Sequence, residues 1–272
     1  KNPPLPAKIK HVIYLHMAGS PSQLELFDYK PELEKYNAKE CPKEYLEGKR
    51  FAFIKGVPKM LAPMFKFRQH GESGQWMSEL LPNLANCADD LVVIRSMQTD
   101  QFNHSPAQLL VHTGQPRLGN PSLGSWVSYG LGSENENLPG FVVMISQKAA
   151  INTDQPLFSR LWSSGFLPSS YQGVKFRAGS DPVLYLNDPE GMSKASRRGI
   201  LDLSSKLNQM RAETIGDPEI ETRIAQYEMA FKMQSSVPDL MDLSKETEAT
   251  MDLYGPDVKR PGSFAQQCLL AR

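Results

Sequence analysis

The chain has 272 residues, 40% of them hydrophobic, so it can bury a sizeable core in one large domain or two small ones. Its 30 basic and 30 acidic residues give a formal net charge of zero, which argues against nucleic acid or an anionic membrane as a partner. No apolar run approaches the length of a membrane span. The three cysteines are widely separated and predict neither a metal motif nor a disulfide framework.

Short apolar runs alternate with helical patterns in the first half of the chain. The runs that predict strands are residues 11–17, 91–94 and 140–145. The patterns that predict helices are residues 75–90, 105–113 and 123–131. This alternation is typical of an α/β fold, in which a mainly parallel sheet carries helices on both faces.

The rest of the chain divides into a tail, two long loops and two further helices. Residues 1–10 are a proline-rich tail, and residues 29–75 and 146–195 are expected to be long loop excursions. Residues 217–235 predict an amphipathic helix with Ile220, Ile224, Tyr227 and Phe231 on one stripe. Residues 263–272 begin a helix that ends in mid-pattern, so we expect a single domain over residues 1–272 that is incomplete at its C-terminus.

The segment from Asn103 to Gly114 carries the strongest candidate for chemistry. Pro106 suits the first turn of a helix, Asn103 or Ser105 can cap it, and Gly114 provides the stop. A helix N-terminus presents free N–H groups and a positive dipole end, which favour a bound anion. We therefore predict an anion site that includes Ser105.

His104 stands at the start of this helix and has four alternative roles. An imidazole can act as a covalent nucleophile, as a general acid or base, or as a metal ligand. It can equally be a hydrogen-bonded loop histidine without a catalytic role. Asn103 and Asp100 add oxygen atoms beside it, so Asp100 with His104 is the best metal candidate in the sequence.

The turn after the first predicted strand contains Ser20 and Ser22. In a parallel sheet this turn and His104 would meet at the edge formed by the C-terminal ends of the strands. Backbone N–H groups near Ser20 could bind an anion, and Ser22 could act as a nucleophile beside a base. Alternatively, the turn only reverses the chain, and Ser22 forms a capping box with Glu25.

The helix that begins near His104 resembles the nucleophile segment of sulfatases. That segment runs Cys/Ser-x-Pro-x-Arg, then four residues, then Thr-Gly. Here His104 occupies the nucleophile position, Pro106 matches, Gln108 replaces the arginine and 113–114 is the Thr-Gly pair. The Leu-Pro-Asn-Leu sequence at 81–84 also fits a helix of the alkaline phosphatase and sulfatase superfamily.

The chain as a whole resembles a bacterial family of unknown function assigned to that superfamily. The matching stretches are residues 17–28, 130–143, 165–173 and 268–272. The resemblance implies an alkaline phosphatase-like fold. Two features depart from the sulfatase pattern: Ala18-Gly19 stands where sulfatases have a metal-binding Asp-Asp pair, and a histidine replaces the nucleophile.

The resemblance implies an extracytoplasmic hydrolase of phosphate or sulfate esters, with polysaccharide esters among the candidate substrates. His104 would be nucleophile or ligand, Asn103 and Asp100 would assist, and a divalent metal (zinc, calcium or manganese) is a compatible cofactor. The aromatic residues Trp126, Tyr129, Trp162, Phe166 and Tyr171 either line a sugar-binding surface or build core. The alternative function is a non-catalytic binding or assembly subunit at the bacterial cell surface, with a protein partner.

Overall fold

The computed structural model describes residues 9–49, 51, 54–146, 157–178, 182–183 and 187–272. These residues form two compact units. One unit is Tyr14–Gln108, and the other combines residues 9–13 with Leu109–Arg272.

The unit Tyr14–Gln108 contains short helices and one β-hairpin. Its elements are α1 (Glu32–Tyr36), α2 (Lys43–Leu46), β1 (Phe67–His70), β2 (Gln75–Ser78) and α3 (Pro82–Ala85), with 3₁₀ helices at Gln23–Glu25 and Ala88–Asp90. Helix α4 (His104–Thr113) begins in this unit and continues beyond its end.

The antiparallel pair β1–β2 is held at its turn by a carboxylate from outside the hairpin. Gly71 takes a positive φ of 67°, which glycine adopts without strain. Asp89 then accepts hydrogen bonds from the backbone N–H groups of Ser73 (2.8 Å) and Glu72 (3.0 Å). These hydrogen bonds hold the pKa of Asp89 below its ordinary value because they stabilise the charged carboxylate. The bond from Ser73 contributes most to this lowering.

A small apolar cluster lies beneath this hairpin. Met77, Ala85 and Ala88 are buried, and the half-buried side chains of Phe27 and Leu91 pack against them. The Gln75 amide donates to the backbone carbonyls of Ala88 (2.9 Å) and Leu91 (2.7 Å). Side-chain hydrogen bonds therefore connect β2 to the residues that follow α3.

The second unit is dominated by helices. Its elements are α5 (Leu123–Leu131), β3 (Val142–Met144), β4 (Val174–Phe176), α6 (Lys194–Ile215), α7 (Pro218–Met241), α8 (Glu248–Tyr254) and α9 (Phe264–Ala271). Short 3₁₀ helices lie at Phe158–Trp162, Ser169–Tyr171, Leu243–Lys245 and Pro256–Lys259.

The main core of this unit forms where the parallel pair β3–β4 meets α7. Phe176 of β4 packs with Met233 and Val237 of α7, and all three are buried. Helices α6 and α7 form a hairpin in which Gly216 provides a left-handed C-cap. The guanidinium of Arg198 binds the carboxylate of Glu228 across this hairpin and holds the Glu228 pKa below its ordinary value. A separate cluster of buried residues joins α8 and α9.

The predicted α/β fold with one mainly parallel sheet, and with it the alkaline phosphatase-like architecture, is wrong. The described residues contain only two sheets of two strands each, and one of these sheets is antiparallel. Residues 11–17 and 91–94 belong to neither sheet. An apolar run shows that a segment can enter a sheet, but strand pairing depends on distant residues that periodicity does not reveal.

The predictions of individual helices and strands were more accurate than the prediction of the sheet, with three further corrections. Helices α4, α5, α7 and α9 are confirmed, and β3 lies within the run 140–145. The helix predicted at 75–90 is instead β2, α3 and a 3₁₀ turn, and the loop predicted at 29–75 contains α1, α2 and β1. The residues of α7 that enter the core are Met233 and Val237, outside the predicted stripe.

Candidate functional site

Helix α4 begins at His104 because Asn103 caps it. The Asn103 side-chain oxygen accepts a hydrogen bond from the N–H of Ser105 (3.2 Å), and its backbone carbonyl accepts one from Ala107 (3.2 Å). Pro106 has no N–H to donate. The first-turn donors at 105 and 107 are therefore already bonded, so an anion at this end of α4 would depend mainly on side chains.

The His104 imidazole packs against the turn that follows Met17. Gly19 has a φ of 76°, and a β-carbon at this position would lie 3.7 Å from His104 Cε1 and 3.8 Å from each ring nitrogen. Ser20 also has a positive φ, of 49°, and its N–H donates to the carbonyl of Met17 (3.2 Å). His104 is exposed, and none of the described residues hydrogen bonds to its ring.

A second histidine reaches the same helix one turn further along. His16 Nε2 and Gln108 Oε1 lie 3.3 Å apart, within hydrogen-bonding distance. Gln108 follows His104 by four residues and so occupies the same face of α4. Residues 16–20 therefore run beside the first turn of α4, and we call His16, Gly19, Ser20, His104 and Gln108 the His104 site.

Sequence reasoning placed the turn after Met17 near His104, and the structure brings Gly19 there. Sequence reasoning did not identify the pairing of His16 with Gln108, because residue 16 was expected to lie inside a strand. The signal available in the sequence was the four-residue spacing of His104 and Gln108, which places an imidazole and an amide on one helical face.

Ser22 and Asp100 were predicted site residues and have other surroundings. Ser22 precedes the 3₁₀ helix Gln23–Glu25, and its side chain makes no capping bond. The predicted capping box is absent because the Glu25 carboxylate accepts from the N–H of Met64 instead (3.0 Å). Asp100 is exposed and accepts from the side chain of Gln101 (2.7 Å).

The described residues do not assemble a metal centre by themselves. Among them, no three side chains of histidine, cysteine, aspartate or glutamate lie close enough together to hold a metal ion. An imidazole and a carboxylate are suitable ligands for zinc or manganese, but two ligands leave most of a coordination shell unfilled. The pairing of Asp100 with His104 on a metal stays a prediction.

The aromatic residues of the second unit form an exposed cluster. Trp126 meets Tyr129 and Phe166 with ring centroids 6.0 and 5.7 Å apart, and Tyr129 meets Tyr171 at 5.3 Å, all in edge-on geometry. Trp126, Tyr129 and Phe166 are each more than 40% exposed. These rings contact one another at the surface and leave area for a ligand.

The family described as "Protein of unknown function (DUF1501)" matches residues 9–272. No curated protein and no solved structure matches the chain. None of the helices in the described part of the chain has both the length and the apolar character to cross a bilayer.

Proposed function

This chain belongs to the DUF1501 family of proteins of unknown function, and we propose that it is an extracytoplasmic hydrolase of phosphate or sulfate esters. The observation that carries the proposal is the exposed His104 imidazole at the start of α4, packed against a glycine. No described residue hydrogen bonds to this ring, so its nitrogen is available to a substrate. The sulfatase-like frame around residues 104–114 assigns the same position to the nucleophile.

The chemistry at His104 would follow two displacements. A ring nitrogen attacks the phosphorus or sulfur of the ester, the bond from that atom to the ester oxygen breaks, and the departing oxygen takes a proton from water. A second water then cleaves the new nitrogen bond and releases phosphate or sulfate. Ser20, on the adjoining turn, would hydrogen bond the anionic oxygens, while Asn103 keeps His104 at the helix start.

Metal ions stabilise the charge of transferring groups in many ester hydrolases. The described residues provide Asp100 and His104 as candidate ligands but no set of three, so no step of this mechanism passes through a metal.

Polysaccharide esters are the proposed substrate class because of the aromatic cluster around Trp126. Aromatic faces at a protein surface bind the apolar faces of sugars, and these rings are held in place by their mutual contacts. An anionic or sulfated small molecule is the simplest substrate of the same chemistry.

Replacing His104 with alanine in the complete natural protein tests the catalytic proposal. We expect hydrolysis of nitrophenyl phosphate and nitrophenyl sulfate to fall by at least about a hundredfold, as for loss of a covalent nucleophile. The matched control is His11→Ala, since His11 is also exposed and has no assigned role. Unchanged turnover in His104→Ala would contradict the proposal. A separate measurement of metal content by elemental mass spectrometry would show whether the natural protein holds zinc, calcium or manganese.

The second candidate is a non-catalytic binding or assembly subunit at the cell surface, acting through a protein partner. A specific observation favours it: Val92, Ile94 and Met97 are all more than 60% exposed. Exposed apolar surface of this kind marks protein-binding sites in many proteins. Equal, background turnover by the wild type and His104→Ala, together with loss of an assembly in Val92→Asp/Ile94→Asp by sedimentation, would favour this function.

A further inference from the structure

A cavity of about 110 Å³ opens where the end of α4 and the loop after it meet the 3₁₀ helix Phe158–Trp162. Its lining residues include two arginines, Arg117 and Arg160, which are both exposed, and the polar residues Asn120 and Ser163. Leu109, which is buried, provides an apolar part of its wall. No acidic residue is among the described residues that line it.

The two arginines lack partners of opposite charge. Neither forms an ion pair or a side-chain hydrogen bond with any other residue that the structure describes, whereas Arg197, Arg198, Arg260 and Arg272 all pair with carboxylates. Both side chains are exposed, so water solvates their charges, but two arginines without acidic partners beside one cavity favour an anion there.

The backbone around the cavity is fixed by close contacts. Gly165 has a φ of 57° and packs so tightly against the backbone of residues 119–121 that a side chain there would overlap it. The carbonyl of Ser163 accepts from the Ser122 N–H (3.0 Å) and the Ser125 hydroxyl (3.1 Å). These contacts fix the backbone of Asn120 and Ser163 at the wall of the cavity.

Ser163 retains a donor for a ligand. Its hydroxyl oxygen accepts a hydrogen bond from the Gly165 N–H (3.1 Å), which leaves the hydroxyl proton available. The amide of Asn120 has no hydrogen bond to any residue in the described ranges and provides two more donors. All four polar groups can thus donate.

We propose that this oxyanion pocket, lined by Arg117, Asn120, Arg160 and Ser163, binds a phosphate or sulfate group. A guanidinium presents parallel N–H groups that match the oxygens of such a group, and charge-assisted bonds of this type are among the strongest in proteins. A water molecule needs about 10 to 15 Å³ on the same measure, so the cavity holds a group of several heavy atoms. The pocket is separate from His104 in its residues, and it does not rest on the proposed hydrolysis.

The test is a titration of the full chain with inorganic phosphate and sulfate, followed by the arginine side-chain signals in nuclear magnetic resonance spectra. We expect saturable shifts, and we expect Arg117→Gln and Arg160→Gln each to weaken binding about tenfold or more. Arg117→Lys keeps the charge but loses the paired donors, so it should bind with intermediate affinity. Phenyl phosphate distinguishes the two sources of the group: binding as tight as that of phosphate indicates an ester on a larger molecule, and weaker binding indicates the free ion.

A control variant shows whether phosphate binding depends on the oxyanion pocket itself. Arg211→Gln removes an exposed arginine of α6 and should bind phosphate as the wild type does. The proposal is overturned if the wild type shows no saturable binding, or if Arg211→Gln weakens binding as much as Arg160→Gln does.

Discussion

Strand β3 and the segment 91–94 are both short apolar runs, yet only β3 is part of a sheet. β3 pairs in parallel with β4, and α7 covers this pair with Met233 and Val237. Residues 91–94 pair with no strand in the described part of the chain, and Val92 is 89% exposed. The difference shows that the presence of a partner strand, rather than composition, determines whether such a run joins a sheet.

The largest loss of stability is expected for a substitution where β4 enters the core. Phe176 is 2% exposed, and its replacement with alanine should lower the free energy of unfolding by about 3–5 kcal/mol through lost burial and a residual cavity. Urea denaturation followed by circular dichroism measures this change. Phe264→Ala, at an aromatic ring that is 53% exposed, should cost no more than about 1 kcal/mol. Equal losses in the two variants would show that the β3–β4 core is not formed in solution.

The second largest loss of stability is expected in the turn between β1 and β2. It extends the comparison of paired and unpaired segments to Tyr14–Gln108, where the mostly polar β1 is paired and the apolar segment 91–94 is not. Gly71→Ala should lower the free energy of unfolding by more than the roughly 1–2 kcal/mol of left-handed strain alone. The reason is that the new β-carbon would overlap the Asp89 carboxylate. Gly48→Ala is the control, because Gly48 has a similar φ of 71° with no atom nearby. Denaturation curves that coincide for the two variants would contradict a role for Asp89 in the turn.

The same turn should respond to pH. The pKa of Asp89 is lowered in the folded chain, so its stabilising bonds are fully present above the unfolded pKa and are lost as the pH falls through the folded value. Protection of the Glu72 and Ser73 amides from hydrogen exchange should therefore be constant above about pH 5 and decline below about pH 4. In Asp89→Asn this decline should disappear. Protection that declines equally in both proteins would rule out the carboxylate as its cause.

The contrast between β3 and residues 91–94 also explains what the sequence predicts well. Caps and helical periodicity lie within a few residues of one another, so α4 and α5 were predicted within a residue of their observed bounds. The parallel register of Val142 with Val174 joins residues 32 positions apart, and nothing local specifies it. Such pairings depend on tertiary context, which is why the predicted sheet was wrong.

The candidate site also combines features that local sequence signals predict with features that depend on distant residues. His104 at the start of α4 follows from Asn103, Pro106 and Gly114, which are all local signals. The contact of Gly19 with His104 was anticipated through a sheet edge that does not exist. The pairing of Arg117 with Arg160 in one cavity was not predicted, since it depends on the close packing of Gly165 against a loop more than forty residues earlier.

The smallest loss of stability is expected at Val92, and its measurement directly tests the contrast between β3 and residues 91–94. Because this side chain is already solvated, Val92→Ala should change the free energy of unfolding by no more than about 0.5 kcal/mol. Val237→Ala, at a fully buried valine of α7, should cost about 2 kcal/mol in the same urea titration. A loss in Val92→Ala that approaches the loss in Val237→Ala would mean that residues 91–94 are covered in solution, either within the chain or by a partner. Repeating the titration at several protein concentrations separates these cases, since only stabilisation by self-association depends on concentration.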